Sequence, residues 1–254
     1  MADQVANVAT NLTANTFTRA GYSFAGWNTV AGGGGTAYAN NASYPFTASE
    51  TLYAQWTTLT AQTITFPALA DTAFGAAVPV PAASASSGLA VSYSTSSAAC
   101  SVSGAGVITF TSLGTCTVDA NQAGNATYAP APQVSESFEI TAGVQTVTFA
   151  GVPSVAVGSP AATTATSTGP GAITYASTTP AACSVDTNSG QVTGLVAGTG
   201  NCSITASAAA TSTYASGSAS QTFDIAAAPL TAQTITFPAL ADTPIDKQGT
   251  TFRS

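Results

Sequence analysis

An all-β chain of small modules in series is what this sequence predicts, on three observations. Apolar and polar residues alternate with a period of two over many short runs; in 62–66, for example, Ile64 and Phe66 alternate with Thr63 and Thr65. That alternation marks half-buried strands. Clusters of Gly, Pro, Ser and Asn separate the runs, and no amphipathic stretch is long enough for a helix. A long internal repeat divides the chain into units of small-domain size.

The first 57 residues form one module. They hold Phe17, Tyr22, Phe24, Trp27, Tyr38, Tyr44, Phe46, Tyr53 and Trp56, a concentration of aromatics unlike the rest of the chain. GYSFAGWNT at 21–29 and TLYAQWT at 51–57 resemble the Listeria–Bacteroides repeat of bacterial surface proteins. The resemblance implies a small β-grasp-like module. It also implies a further strand ahead of the segment corresponding to residues 1–11, with Met1 an internal methionine of the repeat. A module without that strand presents an unpaired edge, which costs stability and invites self-association with another chain.

Two longer units follow. LTAQTITFPALADT occurs at 59–72 and again, unchanged, at 230–243, and a weaker version opens at Gln145. Gln62, Gln145 and Gln233 therefore head successive units spaced by 83 and 88 residues. Other landmarks keep step: Cys100 with Cys183, Cys116 with Cys202, Tyr128 with Tyr214, Phe138 with Phe223. Within a unit, Leu89, Val91 and Tyr93 alternate with small polar neighbours. Cys100 shares a face with Val102, Ile108 with Phe110, and Cys116 with Val118. Turn clusters lie at 86–88, 104–106 and 121–125. Six or seven short strands in a unit of this size predict an immunoglobulin-like sandwich. QTITFPAL, GLAVSYSTSSAACSVSG, GTCTVDANQAGNATY and SFEI, in that order, resemble the bacterial immunoglobulin-like repeats of large surface proteins, and VDTNSGQVTGLVAGTGNCSITA at 185–206 fits the same pattern.

The expected organisation is a Listeria–Bacteroides-type repeat at 1–57 and immunoglobulin-like domains at 60–142 and 143–228. Residues 229–254 are the truncated start of a third repeat plus an aberrant tail that holds two of the three cations.

Composition limits function. Only 5% of residues are charged, against about 25% in an ordinary globular chain. The cations are Arg19, Lys247 and Arg253, so 20–246 contain none. Nucleic-acid binding needs several Lys or Arg contacts to phosphate, and attraction to anionic lipid needs the same; neither is available. No run of apolar residues is long enough to span a membrane. Residues 1–15 lack the basic start and apolar run of a signal peptide, so an export signal and a surface anchor are expected outside this sequence.

The four cysteines fall in pairs with separations of 16 and 19 residues. Three connectivities are possible; the repeat favours Cys100–Cys116 and Cys183–Cys202, which points to an oxidising compartment. The alternative is four buried free thiols. A zinc site is disfavoured, because there is no His and no close Cys pair.

No catalytic constellation emerges. A triad needs a base, and there is no His. The acids are scattered; Glu136 and Glu139, an odd offset apart on a strand, face opposite ways. Asp186–Gly190 has the first half of a calcium-type loop without the distal Glu, and reads instead as a hairpin turn. AGGGGT at 31–36 lacks the Lys of a phosphate loop and reads as a flexible connection. No domain has the Lys that an intramolecular isopeptide bond needs. Tyr22, Trp27, Tyr38 and Trp56 could form a sugar-binding platform, or could fill the core of a small module.

The expectation is a non-catalytic structural or adhesive segment of a secreted bacterial surface protein, with no cofactor or metal. Its partner would be a host or neighbouring-cell surface protein or glycan. The competing expectation is a set of carbohydrate-binding accessory modules of a secreted hydrolase.

Overall fold

The computed structural model describes residues 4–151, 154–230 and 232–239. Lys247, Arg253 and the tail expected to be aberrant lie outside the described residues. Among the described residues every regular element is a strand, as the period-two pattern predicts.

In the N-terminal module, β1 (Thr10–Asn11) pairs antiparallel with β4 (Ser43–Tyr44). A second sheet places β2 (Tyr22–Asn28) between β3 (Ala37–Tyr38) and β5 (Tyr53–Thr58), all antiparallel. The register of β2 against β5 shifts between Phe24 and Gly26. Gly26 has φ 139°, and a Cβ on it would lie 2.8 Å from the Tyr38 carbonyl oxygen. Glycine is thus what lets the bulge form while β3 closes on β2. Leu12, Trp27 and Tyr44 form the core, with Phe24, Tyr38, Phe46, Leu52 and Ala54 packed against them.

The next eight strands are β6 (Ile64–Thr65), β7 (Thr72–Ala73), β8 (Ser84–Ala85), β9 (Ser92–Ser94), β10 (Cys100–Val102), β11 (Ile108–Phe110), β12 (Gly114–Asn121) and β13 (Val134–Thr141). The main sheet runs β7-β13-β12-β9, and the pairs β10-β11 and β6-β8 stand apart from it. Cys116, Val118 and Ala120 of β12 and Phe138 and Ile140 of β13 point into the core, where Ile64, Phe66 and Ile108 meet them. The run at 89–93 is a strand only from Ser92, where β9 pairs with Asn121 of β12. Glu136 and Glu139 stand opposite Val118 and Thr115, on opposite faces as their spacing predicts.

The outer face of this sheet explains the low charge. Thr117 and Ser137 hydroxyls lie 2.8 Å apart, Ser135 donates to Asp119 at 2.6 Å, and Thr115 donates to Glu139. Cross-strand hydroxyls, paired with one another or with a carboxylate, take the place that ion pairs hold in ordinary sheets.

Nine strands follow: β14 (Val147–Phe149), β15 (Val155–Ala156), β16 (Ala161–Ala162), β17 (Ala165–Ser167), β18 (Ile173–Ser177), β19 (Cys183–Val185), β20 (Gln191–Gly194), β21 (Gly198–Ala208) and β22 (Gly217–Ala226). The order β15-β22-β21-β18 repeats that of β7-β13-β12-β9, including the parallel edge strand. Val155, Cys183, Val192, Cys202, Ile204, Phe223 and Ile225 are buried. The chain is thus a small antiparallel module followed by tandem immunoglobulin-like sandwiches. Each sandwich has more strands than the six or seven predicted, because its edges break into two-residue pieces.

The chain divides into two compact units. One runs to Thr148 and takes in 166–173 and Ser207–Ala219; the other holds Phe149–Ala165, Thr174–Ala206 and the chain from Ser220 onward.

Candidate functional site

The aromatic residues of the N-terminal module have unequal positions. Trp27 and Tyr38 are cross-strand partners of β2 and β3. Tyr38 packs edge-on to Tyr44 with centroids 5.0 Å apart, and Phe24 bridges Trp27 at 5.1 Å and Trp56 at 5.6 Å. Edge-to-face pairs of this kind add to the burial energy of the rings. Trp27 is buried, Tyr38 and Trp56 half-buried. Tyr22 stands apart under the Arg19 guanidinium, 3.8 Å from its ring centroid. Four rings are therefore not brought onto one exposed plane: two face the core and one is covered by a cation.

A cleft of 910 Å³ opens beside the core, lined by Leu12, Phe17, Trp27, Tyr44, Phe46 and Glu50 among others. Of the four aromatics singled out in the sequence, only Trp27 borders it. The Tyr44 hydroxyl donates to Glu50 Oε2 at 2.8 Å. That bond to a carboxylate, reinforced by burial, holds the Tyr44 phenol above its ordinary value. The indole Nε1–H of Trp27 is buried without a hydrogen-bond partner.

Asn28 explains the glycine loop at 31–36. It is buried, and its Oδ1 accepts the backbone N–H groups of Val30 at 2.9 Å and Gly35 at 3.0 Å. Its Nδ2 donates to the Gly33 and Gly35 carbonyls. The loop expected to be a flexible connection is held from inside by one amide.

Both expected disulfides are present. Cys100 and Cys116 join β10 to β12 with Cα atoms 5.7 Å apart, and Cys183 and Cys202 join β19 to β21 with Cα atoms 5.6 Å apart. Each bond crosses from one sheet to another. Cys116, Cys183 and Cys202 are fully buried, and Cys100 nearly so.

Two buried glutamines were visible in the sequence only as repeat heads. Gln62 Nε2 donates to the Ala129 carbonyl at 2.7 Å and to Gln122 Oε1 at 2.6 Å. Gln145 Nε2 donates to the Ala215 carbonyl at 2.7 Å and the Ala209 carbonyl at 2.9 Å, and its Oε1 accepts the Gly171 N–H at 2.8 Å. A Cβ on Gly171 would lie 2.6 Å from that oxygen, so only glycine fits beside it. Two residues before each glutamine the backbone forms the same clasp. Thr60 N–H donates to Thr127 and its carbonyl accepts from Ala129; Gly143 does the same with Thr213 and Ala215. The recurrence of Gln with the NATY and TSTY segments was the signal that could have found this.

In the turn between β19 and β20, Asp186 Oδ1 accepts from Ser189 N–H at 2.8 Å, Ser189 Oγ at 2.7 Å and Asn188 N–H at 3.2 Å. The bonds from Ser189, then Asn188, hold its carboxyl below its ordinary value. That oxygen is satisfied by its own turn. Among the described residues no group of three or more His, Cys, Asp or Glu side chains is placed to hold a metal ion, and no helix is long and apolar enough to cross a membrane.

No curated protein matches the chain. Among solved structures it is similar to human protocadherin-24 EC1-2, at 12% identity over 66% of this chain and 98% of that one, with a TM-score of 0.29. It is similar to a C-terminal 282-residue fragment of intimin, solved in complex with the intimin-binding domain of the translocated intimin receptor. That match has 20% identity over 63% of each chain and a TM-score of 0.26. It is also similar to domains 1-6 of surface layer protein SbsC, at 15% identity over 82% of this chain and 35% of that one, with a TM-score of 0.30. At these values the likenesses say nothing of activity or partners. Family resemblance rests on the N-terminal module, whose residues 2–55 match the Listeria-Bacteroides repeat domain.

Proposed function

We propose that this chain is a non-catalytic structural and adhesive segment of a bacterial cell-surface protein, working outside the cell. The observation that carries the reading is the pair of inter-sheet disulfides repeated at the same place in successive sandwiches. Such bonds persist in oxidising surroundings and are rare in the cytosol. The match of residues 2–55 to a repeat domain supports it, as does an outer sheet face whose cross-strand contacts run from hydroxyl to hydroxyl and from hydroxyl to carboxylate. The sandwiches act as spacers, and the disulfides limit how far each extends under load. The domain boundaries at 57, 60–142 and 143–228 belong to this reading.

The test is surface exposure in the producing organism. Protease treatment of intact cells, followed by mass spectrometry of released peptides, should recover peptides of this chain. Recovery only after cell lysis would contradict the proposal.

A second reading is favoured by the cleft beside Trp27 and Phe17: the N-terminal module binds a neutral glycan or a surface protein in that cleft. Binding of soluble neutral polysaccharides that quenches tryptophan fluorescence would support the glycan arm. Saturable binding to intact host or neighbouring cells without polysaccharide competition would support the protein arm.

A further inference from the structure

Burial does not lapse between the end of the first sandwich and the head of the second. Boundaries between domains ordinarily fall in exposed segments that few contacts cross. Here Gly143, Gln145 and Val147 are buried while Val144 and Thr146 are exposed, so the alternation of a strand runs straight through. Gly143 is clasped on both sides: its N–H donates to the Thr213 carbonyl and its carbonyl accepts from Ala215, each at 2.9 Å. Thr60 holds the same place in the earlier clasp and carries a side chain, so the clasp itself does not demand glycine. What demands it at 143 is the Tyr214 ring together with the Phe74 carbonyl; a Cβ there would lie 2.6 Å from the ring. A Cβ on Gly75 would lie 2.5 Å from the Tyr214 hydroxyl oxygen.

The Tyr214 ring stands edge-on to Phe74, with centroids 5.8 Å apart. Phe74 meets Phe110 at 6.2 Å, and Phe110 meets Phe138 at 6.0 Å. Four rings in line thus lead from a loop of the second sandwich into the core of the first. The compact unit that contains the first sandwich also takes in Ser207–Ala219, so all of these contacts lie inside one unit.

We infer that Tyr214 is a latch. The loop at 211–215 completes the end of the first sandwich, and β7 with the end of β13 keeps its full protection only while that ring is in place. The coupling is reciprocal, because a contact that favours the joined arrangement stabilises both partners by the same factor. Beyond the area it buries, an edge-to-face pair is worth roughly 2- to 12-fold in an equilibrium. The inference stands on this geometry alone and does not depend on where the protein works.

Hydrogen exchange of the full chain, resolved to single amides, tests it. The Phe74 amide is the reporter: it donates to the Thr141 carbonyl at 2.9 Å, and both ends of that bond belong to the first sandwich. Y214A should speed its exchange roughly 2- to 12-fold, whereas Y214F, which keeps the ring, should leave it unchanged. In the other direction, F74A should speed exchange of the Tyr214 amide, which is bonded to Thr211 Oγ1 at 3.0 Å within its own loop. A Phe74 amide at the wild-type rate in Y214A, or a Tyr214 amide at the wild-type rate in F74A, overturns the inference. So does a Y214F effect as large as that of Y214A. Because Y214A could fail to fold, protection of the Thr163 amide, bonded to the Gly190 carbonyl, is checked first; where it is lost, F74A and Y214F decide.

Discussion

Reduction under load gives the sharpest expectation. Cys100 and Cys116 are 16 positions apart in sequence, and their Cα atoms are 5.7 Å apart. Extended chain spans at most about 3.3–3.6 Å per residue, so breaking the bond adds roughly 50 Å of length when the first sandwich is pulled out. The second bond closes 19 residues across 5.6 Å, and its reduction adds roughly 60 Å by the same arithmetic. Burial dictates the order of events. Cys116, Cys183 and Cys202 have no exposed surface, so a reductant reaches either bond only after its sandwich has opened. In single-molecule stretching without reductant, each sandwich should unfold in one step that is short by its locked loop. With reductant, a second step of about 50 or 60 Å should follow each unfolding event and never precede it. The C100A/C116A variant should lose only the shorter second step, and C183A/C202A only the longer. In the chain-entropy treatment each variant also gives up about 3 kcal/mol of stability. Step lengths that ignore the reductant, or a gain in length before unfolding, would refute the reasoning.

Other perturbations test particular residues. Gln145→Ala removes an amide bonded to Ala209, Ala215 and Gly171 and should cost about 3 kcal/mol or more, since each of three groups left unpaired costs about 1–3; urea unfolding followed by far-ultraviolet circular dichroism would measure it. Gly26→Ala puts a Cβ 2.8 Å from the Tyr38 oxygen at φ 139°. It should destabilise the N-terminal module by about 1–3 kcal/mol, read from the fluorescence of Trp27 and Trp56, both in that module. The turn at Asp186 should respond to acid in one direction. Its carboxyl is held below 3.8 by hydrogen bonds, so its contribution is present above that pH and disappears as pH falls through the lowered value. Amide exchange at Asn188 and Ser189 should quicken only in strong acid, and Asp186→Ala should remove that dependence.

Much of this architecture is legible in the sequence because burial in a half-exposed strand leaves a period of two. Cys116, Val118 and Ala120 are buried and their neighbours on β12 are not, as the alternation requires. The disulfide pairing follows from the repeat. The short strands are less legible: β6, β7 and β8 are two residues each and lie near Pro67, Pro79 and Pro81, which lack a donor for longer ladders. Buried polar residues are harder still. Gln62, Gln145 and Asn28 belong to residue types that are mostly exposed, and only their hydrogen-bond partners, distant in sequence, place them inside. The aromatic residues show the same limit, since nothing local separates Trp27 in the core from Tyr22 under Arg19. The clearest case is the duplicated head, buried at Ile64 and exposed at Ile235 on identical sequence.

Export of this chain as disulfide-bonded sandwiches stands or falls with the state of its four cysteines. Protein purified from its native compartment would be alkylated without reduction, digested and analysed by mass spectrometry. The expected result is no alkylated cysteine and two linked peptide pairs, Cys100 with Cys116 and Cys183 with Cys202. Alkylated thiols in the folded protein, or a bond between the two pairs, would contradict it.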